Sequence, residues 1–242
     1  MAQHLVLRLE APLISFGGEA IDNFGVVRDF PAASMVTGLI ANALGYRRGD
    51  GPRHDRLQQR LVFGARLDRV AERMQDFQTA QLEAADKGWT RHGVPEGRAG
   101  GAGTYKGPHL RYRDYDTDAC ICIAVRLNPA GESPTLHEIA TALDYPARPL
   151  FIGRKPCLPS ARIVEGFIKA QTILEALKTY PHLTNEQGDH PVVLFWPYGE
   201  GEMECSQTLT ITDQRSWRTG VHGGARRINR ATVTPPVAEV AA

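Results

Sequence analysis

Two apolar runs constrain this chain more than any other feature. Leu5-Val-Leu-Arg-Leu9 stands next to the N-terminus, and Cys120-Ile-Cys-Ile-Ala-Val-Arg-Leu127 is rich in β-branched residues. Both read as strands, the first as a central or near-central one. A helical stripe follows the first run after the entry Phe30-Pro-Ala-Ala-Ser34: Met35, Val36, Leu39, Ile40 and Leu44 share one face, and Gly45 closes it as a C-cap. A second, more polar helix is expected over about 55–62. Residues 63–79 read as short strands marked by Ala65, Leu67, Val70, Met74 and Phe77.

Beyond the second run, Ser133-Pro134 predicts a helix start with Ser at the N-cap and Pro at N1, and Leu136, Ile139, Ala140 and Leu143 form its buried stripe. Leu150-Phe-Ile152 then reads as another strand. The order strand, helix, strand, strand, helix, strand is the split β-α-β-β-α-β pattern, so an α+β, ferredoxin-like domain is expected over 1–160. A smaller β-rich part is expected over 161–232, with a helix at about 170–179 and strands at 192–196 and 208–212. Residues 233–242, with Pro235-Pro236 and alternating Ala and Val, read as a frayed tail.

Composition narrows the class. With 42% apolar and 23% charged residues the chain reads as soluble and globular, and a net charge of +1 argues against a generally basic nucleic-acid protein. The cations are lopsided, 23 Arg against 5 Lys. The arginine fork binds phosphate bidentately and stacks on bases, although a GC-rich genome produces the same bias. The four cysteines include no C-x-x-C pair; Cys120 and Cys122 lie two apart, on one strand face, as reduced core thiols. No apolar stretch suggests a signal peptide or a membrane span, so a cytoplasmic location is expected.

Dedicated catalytic or cofactor signatures are weak. Gly100-Gly101-Ala-Gly103 follows a polar stretch and leads into no Gly-Lys-Ser or Gly-Lys-Thr, which supports neither a P-loop nor a dinucleotide turn. The eight histidines form no metal-binding pair, and no cofactor or metal is expected. Asp114, Asp116 and Asp118 read as a solvated edge more than as a cation site.

Cationic and aromatic residues carry the functional signal. Between Lys87 and Arg113 the chain becomes glycine-rich, and Glu96 is the sole acid among six Lys or Arg residues. Trp89, Arg91, Arg98, Tyr105, Lys106, Arg111, Tyr112 and Arg113 interleave rings with cations, which suits single-stranded nucleic acid because bases stack and phosphates pair. In Arg148-Pro-Leu-Phe-Ile-Gly-Arg-Lys-Pro-Cys-Leu-Pro159, Gly153 allows a turn or a close approach and Arg154 and Lys155 present two cations. A third cluster contains His222, Arg226, Arg227 and Arg230.

The blocks Leu5–Leu13, Arg28–Ile40, Asp76–Thr79, Arg111–Tyr115 with Asp118-Ala119, and Pro149–Cys157 together resemble the CasD family of type I-E CRISPR Cascade subunits. The resemblance covers about 150 residues in family order. It implies a RAMP-type, ferredoxin-like core with a protruding thumb, here at about 80–113, and a non-catalytic subunit that caps the 5′ handle of CRISPR RNA. It also implies docking on the CasC backbone and CasA large subunits, with target DNA met only indirectly. Arg28, Ser34, Gly153, Arg154 and Lys155 lie in the matched blocks and are the main RNA-binding candidates. The family commonly carries Thr and Arg where this chain has Ala32 and Ala33. A related type I-C protein cuts precursor RNA itself, so a metal-independent endoribonuclease is the alternative, with His109, Lys106 and Tyr105 as its candidate acid–base and phosphate groups.

Overall fold

In the computed structural model, residues 1–18, 23–69, 72–81, 83, 87, 107–184 and 191–236 are described. The first apolar run lies inside β1 (Ala2–Ile14), and β2 (Phe24–Gly25) follows. Two helices, α1 (Ala33–Ala43) and α2 (Gly51–Arg60), lead into β3 (Leu61–Arg69) and β4 (Glu72–Ala80). The second run closes the long β5 (His109–Leu127), which is followed by α3 (Leu136–Asp144), β6 (Val164–Ala170) and α4 (Ile173–Thr179). The remainder comprises β7 (Val192–Pro197), β8 (Gln207–Ile211), β9 (Gln214–Arg215), β10 (His222–Gly223) and β11 (Arg226–Val233).

The result is a mixed α/β fold with few helices and one large sheet, in the order β6-β1-β5-β3-β7-β11-β8, every neighbouring pair antiparallel. Both sequence runs are central. Leu5, Leu7 and Leu9 alternate with Val6, so β1 faces two cores at once. On one side Ile121, Ile123 and Val125 of β5 join the stripe of α1 and Ile139 and Leu143 of α3. On the other, Cys120, Cys122 and Ala124 meet α4 through Ile173, Leu174 and Leu177. Full burial of each such aliphatic side chain contributes about 1.5–3 kcal/mol. Gly64 of β3 lets α4 approach, since a Cβ there would lie 2.7 Å from both Ile173 Cγ2 and the Phe195 carbonyl oxygen.

A buried arginine fixes α4 over its core. Arg66 makes a paired contact with Asp68 at 2.5 and 2.8 Å and donates to the carbonyls of Leu177, Tyr180 and Pro181, where the helix ends. Asp68 in turn accepts from the Leu183 amide at 2.8 Å. Groups that would be orphaned at the helix C-terminus are thereby satisfied from β3.

Several expectations are corrected. Leu150–Ile152 is not a strand: both flanks of β1 are taken, by β5 and β6, so the segment folds as a loop, closed by the Ile152 amide donating to the Cys157 carbonyl at 2.7 Å. The strand after α3 is β6, which begins after that loop. The N-cap of α3 is Thr135, two residues after the expected Ser133, because Thr135 and Glu138 form a capping box that satisfies the first amides: the Thr135 hydroxyl accepts from the Glu138 amide, and the Glu138 carboxylate accepts from the Thr135 amide. α2 spans Gly51–Arg60, and Val62 already belongs to β3. The basic cluster at 226–230 is part of β11, between β7 and β8 in the sheet. β7 and β8, at the strands expected over 192–196 and 208–212, lie in the same sheet as β1, with β11 between them.

β5 is longer than the sheet it anchors. Its second half pairs with β1 and β3, while its first half pairs with β4 from Glu72↔Thr117 to Ala80↔His109 and with β2 at Phe24↔Tyr112. This two-stranded arm carries a ring ladder, Tyr112 lying 5.0 Å from Phe24 and 5.1 Å from Phe77. Asp116 lies at the arm's root beside Arg73; burial raises its pKa while the guanidinium pulls it back. Among the described residues no helix is long and apolar enough to cross a membrane.

Cys120, Cys122 and Cys157 are buried and Cys205 is exposed. Burial, with Glu10 and Asp68 adding, pushes the Cys120 thiol up to about 12, and burial also raises Cys122 against the pull of Arg66. The native protein at mildly alkaline pH is therefore expected to titrate a single fast thiol with a disulfide reagent, the other three reacting only on unfolding. Fast reaction of a second thiol in the native state would contradict this packing.

Candidate functional site

Where β1 runs out, a cleft of about 740 Å³ opens between α1, the loop after Ile14, the loop at 151–154 and the segment 212–217. Its geometry starts at Gly153, which has φ +93° and packs against the end of β1; a Cβ there would fall 1.8 Å from the Ser15 carbonyl oxygen. Only glycine fits. The close approach expected at this glycine is thus made to the chain's own backbone.

Arg154 follows, and its guanidinium is partly committed. It donates to the carbonyls of Asp114 and Gly25, each at 2.8 Å, and lies over the Tyr115 ring at 4.8 Å. It therefore ties the loop to both β2 and the arm while still lining the cleft. Arg28 also lines the cleft; its amide donates to the Phe16 carbonyl at 2.7 Å and its guanidinium to that of Thr212 at 3.1 Å.

The N-terminus of α1 forms another wall and has no cap of its own, since Ala32 occupies the N-cap. Asp213 caps it from the far end of the sequence. One carboxylate oxygen accepts from the Ala33 amide at 2.9 Å, and the Asp213 carbonyl accepts from the Ser34 amide at 3.0 Å. Arg226 holds the same carboxylate with bonds of 2.7 to 3.1 Å. Asp213 is the sole carboxylate among the lining residues, and it is neutralised, which leaves Arg28, Arg154 and Arg215 as a net cationic set.

Arg215 is held in place by its neighbours. Its guanidinium lies 5.1 Å over Trp217, which stacks on His54 at 4.6 Å and donates its amide to Asp55 at 3.1 Å. Ser15 Oγ, Arg215 Nε and Trp217 Nε1 are buried without a hydrogen-bond partner among the described residues, and all three side chains line the cleft.

Of the residues singled out from the sequence, the fold brings Arg28, Ser34, Gly153, Arg154 and His222 together in this cleft. Lys155 stands exposed on the same loop. Arg111 and Arg113 are exposed on the arm, in the strand positions that share a face with Tyr115. Arg226 is engaged by Asp213, while Arg227 occupies the next position of β11, on the opposite sheet face, 3.9 Å over the Tyr198 ring. Trp89, Arg91, Arg98, Tyr105 and Lys106 lie outside the described residues. Sequence reasoning missed Ser15, Asp213, Arg215 and Trp217; only the dense Arg215-Ser-Trp-Arg218 grouping signalled any of them.

The sequence matches the family described as CRISPR-associated protein (Cas_Cas5) over residues 4–229. The chain belongs to the Cas5 family. Among curated proteins it is similar to the CRISPR system Cascade subunit CasD of Escherichia coli strain K12, 24% identical over 181 residues, which covers 74% of this chain and 78% of that protein. A chain of a CRISPR RNA-guided surveillance complex superimposes with a TM-score of 0.70 at 24% identity, over 96% of this chain and 91% of that one. A crystal structure of a Cas protein gives 0.65 at 23% identity, over 97% and 98%. This Cas5 chain thus shares its architecture with known Cas proteins over nearly its whole length.

Because Asp213 both caps α1 and balances Arg226, Asp213→Ala is expected to destabilise the protein by about 3 kcal/mol. Urea unfolding followed by circular dichroism measures this, and a loss below about 1 kcal/mol would contradict the cap.

Proposed function

We propose that this Cas5 protein is a non-catalytic RNA-binding subunit of a type I-E Cascade complex, holding the 5′ handle of CRISPR RNA in the cleft. The observation that carries the reading is the charge of that cleft: three lining guanidinium groups face a single carboxylate already neutralised by Arg226. Guanidinium groups pair bidentately with phosphate oxygens, and positions fixed by surrounding hydrogen bonds lose little freedom on binding. Arg28, Arg154 and Lys155 would hold backbone phosphates, and Ser34 would add a polar contact. Family membership and the named Cascade relative support an assembly role.

On this reading the strands β6-β1-β5-β3, with their intervening helices, form a ferredoxin-like core, and the order and antiparallel pairing of those strands support it. The β4–β5 arm would be the root of a thumb, with Trp89, Arg91, Arg98, Tyr105 and Lys106 towards its end. The rings along the arm and Arg111 and Arg113 suit a surface that meets unpaired bases. The subunit would dock the CasC backbone and CasA large subunits, act in the cytoplasm in antiviral defence, and meet target DNA through the complex.

The test is a salt titration of handle RNA binding by fluorescence anisotropy. Arg28→Ala with Lys155→Ala removes two cations and spares Arg154, whose guanidinium also holds the arm. The double variant is expected to bind about tenfold more weakly, with its log–log salt slope reduced by about 1.4, or about 0.7 per lost phosphate contact. Unchanged affinity and slope would remove the cleft from the reading. Repeat RNA incubated with the protein in EDTA is expected to remain intact; one discrete cut would establish the endoribonuclease alternative.

A further inference from the structure

The cleft continues past Arg215. A second groove of about 400 Å³ runs beside the β9–β10 ribbon, and Arg215 and His222, paired across that ribbon, line both spaces. The chemistry of the walls changes at this junction. The cleft presents three guanidinium groups, whereas the groove adds the neutral side chains of Gln58, Gln214, Ser216 and Thr219. Most of these are already engaged. Gln58 brackets the Arg215 backbone, donating to its carbonyl at 3.0 Å and accepting from its amide at 3.1 Å. Ser216 Oγ accepts from the Thr219 amide, and Thr219 Oγ1 accepts from that of Val221.

The Gln214 amide is different, for among the described residues it has no hydrogen-bond partner. Space is kept for it by Gly224, where φ is +72° and a Cβ would lie 2.7 Å from Gln214 Oε1. A side-chain amide presents one donor and one acceptor side by side, which is the complement of the adenine edge. A phosphate gains little from such a neutral wall, and an unpaired base gains most.

We propose that this groove is a nucleobase subsite, in which one unstacked base of a single-stranded RNA is read by Gln214, with adenine preferred, beside His222. The proposal rests on the RNA-binding reading above. Arg215, held by Gln58 and Trp217, stands at the boundary and pairs with the phosphate of the same nucleotide. Backbone holding and base reading are thus divided between two connected spaces.

The probes are a fluorescent oligouridylate of about ten nucleotides, a length within the usual single-strand site sizes, and the same oligomer carrying one central adenosine. The unaltered full chain is expected to bind the adenosine oligomer about tenfold tighter. Gln214→Ala and Gln214→Met are each expected to bring the two affinities within about twofold, with salt slopes and melting temperature unchanged, whereas Arg215→Ala weakens both oligomers in parallel. Equal binding of the two oligomers by the unaltered protein, or a preference that survives both Gln214 variants, overturns the subsite and leaves the RNA-binding reading standing. Failure of both oligomers to bind overturns that reading and the subsite with it.

Discussion

The structure depends on the continuity of β5. A nineteen-residue strand cannot satisfy its amides and carbonyls against one pair of neighbours of ordinary length, so its two halves recruit different partners. The buried half is flanked by β1 and β3 and carries the alternation that supplies both cores. The outer half is flanked by β4 and β2, and there the buried aliphatic residues give way to rings and charges. Because one backbone runs through both, the arm inherits its direction from the core. Arg154 reinforces this coupling by joining the arm to the loop that ends against Ser15.

The arginine excess has a more specific meaning in the fold than in the composition. Many of these side chains gather carbonyls inside the protein, as no ammonium group does with the same geometry. Arg66 collects three at the end of α4, and Arg60 bonds to Pro129, Glu132 and Pro134 beneath α2. Arg148 reaches Tyr46 and Asn42 where α1 ends. A planar fork that binds phosphate oxygens binds backbone oxygens by the same logic, so a count of arginines overstates the cations offered to a ligand. The cleft is notable for guanidinium groups that remain uncompensated by carboxylates.

Local pattern was legible wherever one face of an element did the work. The runs at 5–9 and 120–127, and the stripe from Met35 to Leu44, were readable because burial imposes their period directly. β6 was hidden because Glu165, Gly166 and Lys169 interrupt its apolar residues, and it is held by pairing with β1 rather than by its own pattern. Leu150 and Ile152 look like strand residues because they are buried, yet they belong to a loop. The cleft was half legible for a related reason. Arg28, Ser34, Gly153 and Arg154 belong to recognisable blocks, whereas Asp213, Arg215 and Trp217 acquire meaning only through contacts with α1 and α2, about 160–180 positions away.

The cap on α1 also sets an order of events in time. Ala33 and Ser34 leave the ribosome early, but the carboxylate and carbonyl that satisfy their amides arrive some 180 residues later, and Arg226 later still. Until then the first turn of α1 is open to water and the cleft lacks the wall formed by 212–217. β1, α1, β3 and β5 all precede that segment in the chain, so their residues are made before the cleft has its second wall. A chain that stops short of Asp213 therefore lacks both the cap on α1 and this wall of the cleft.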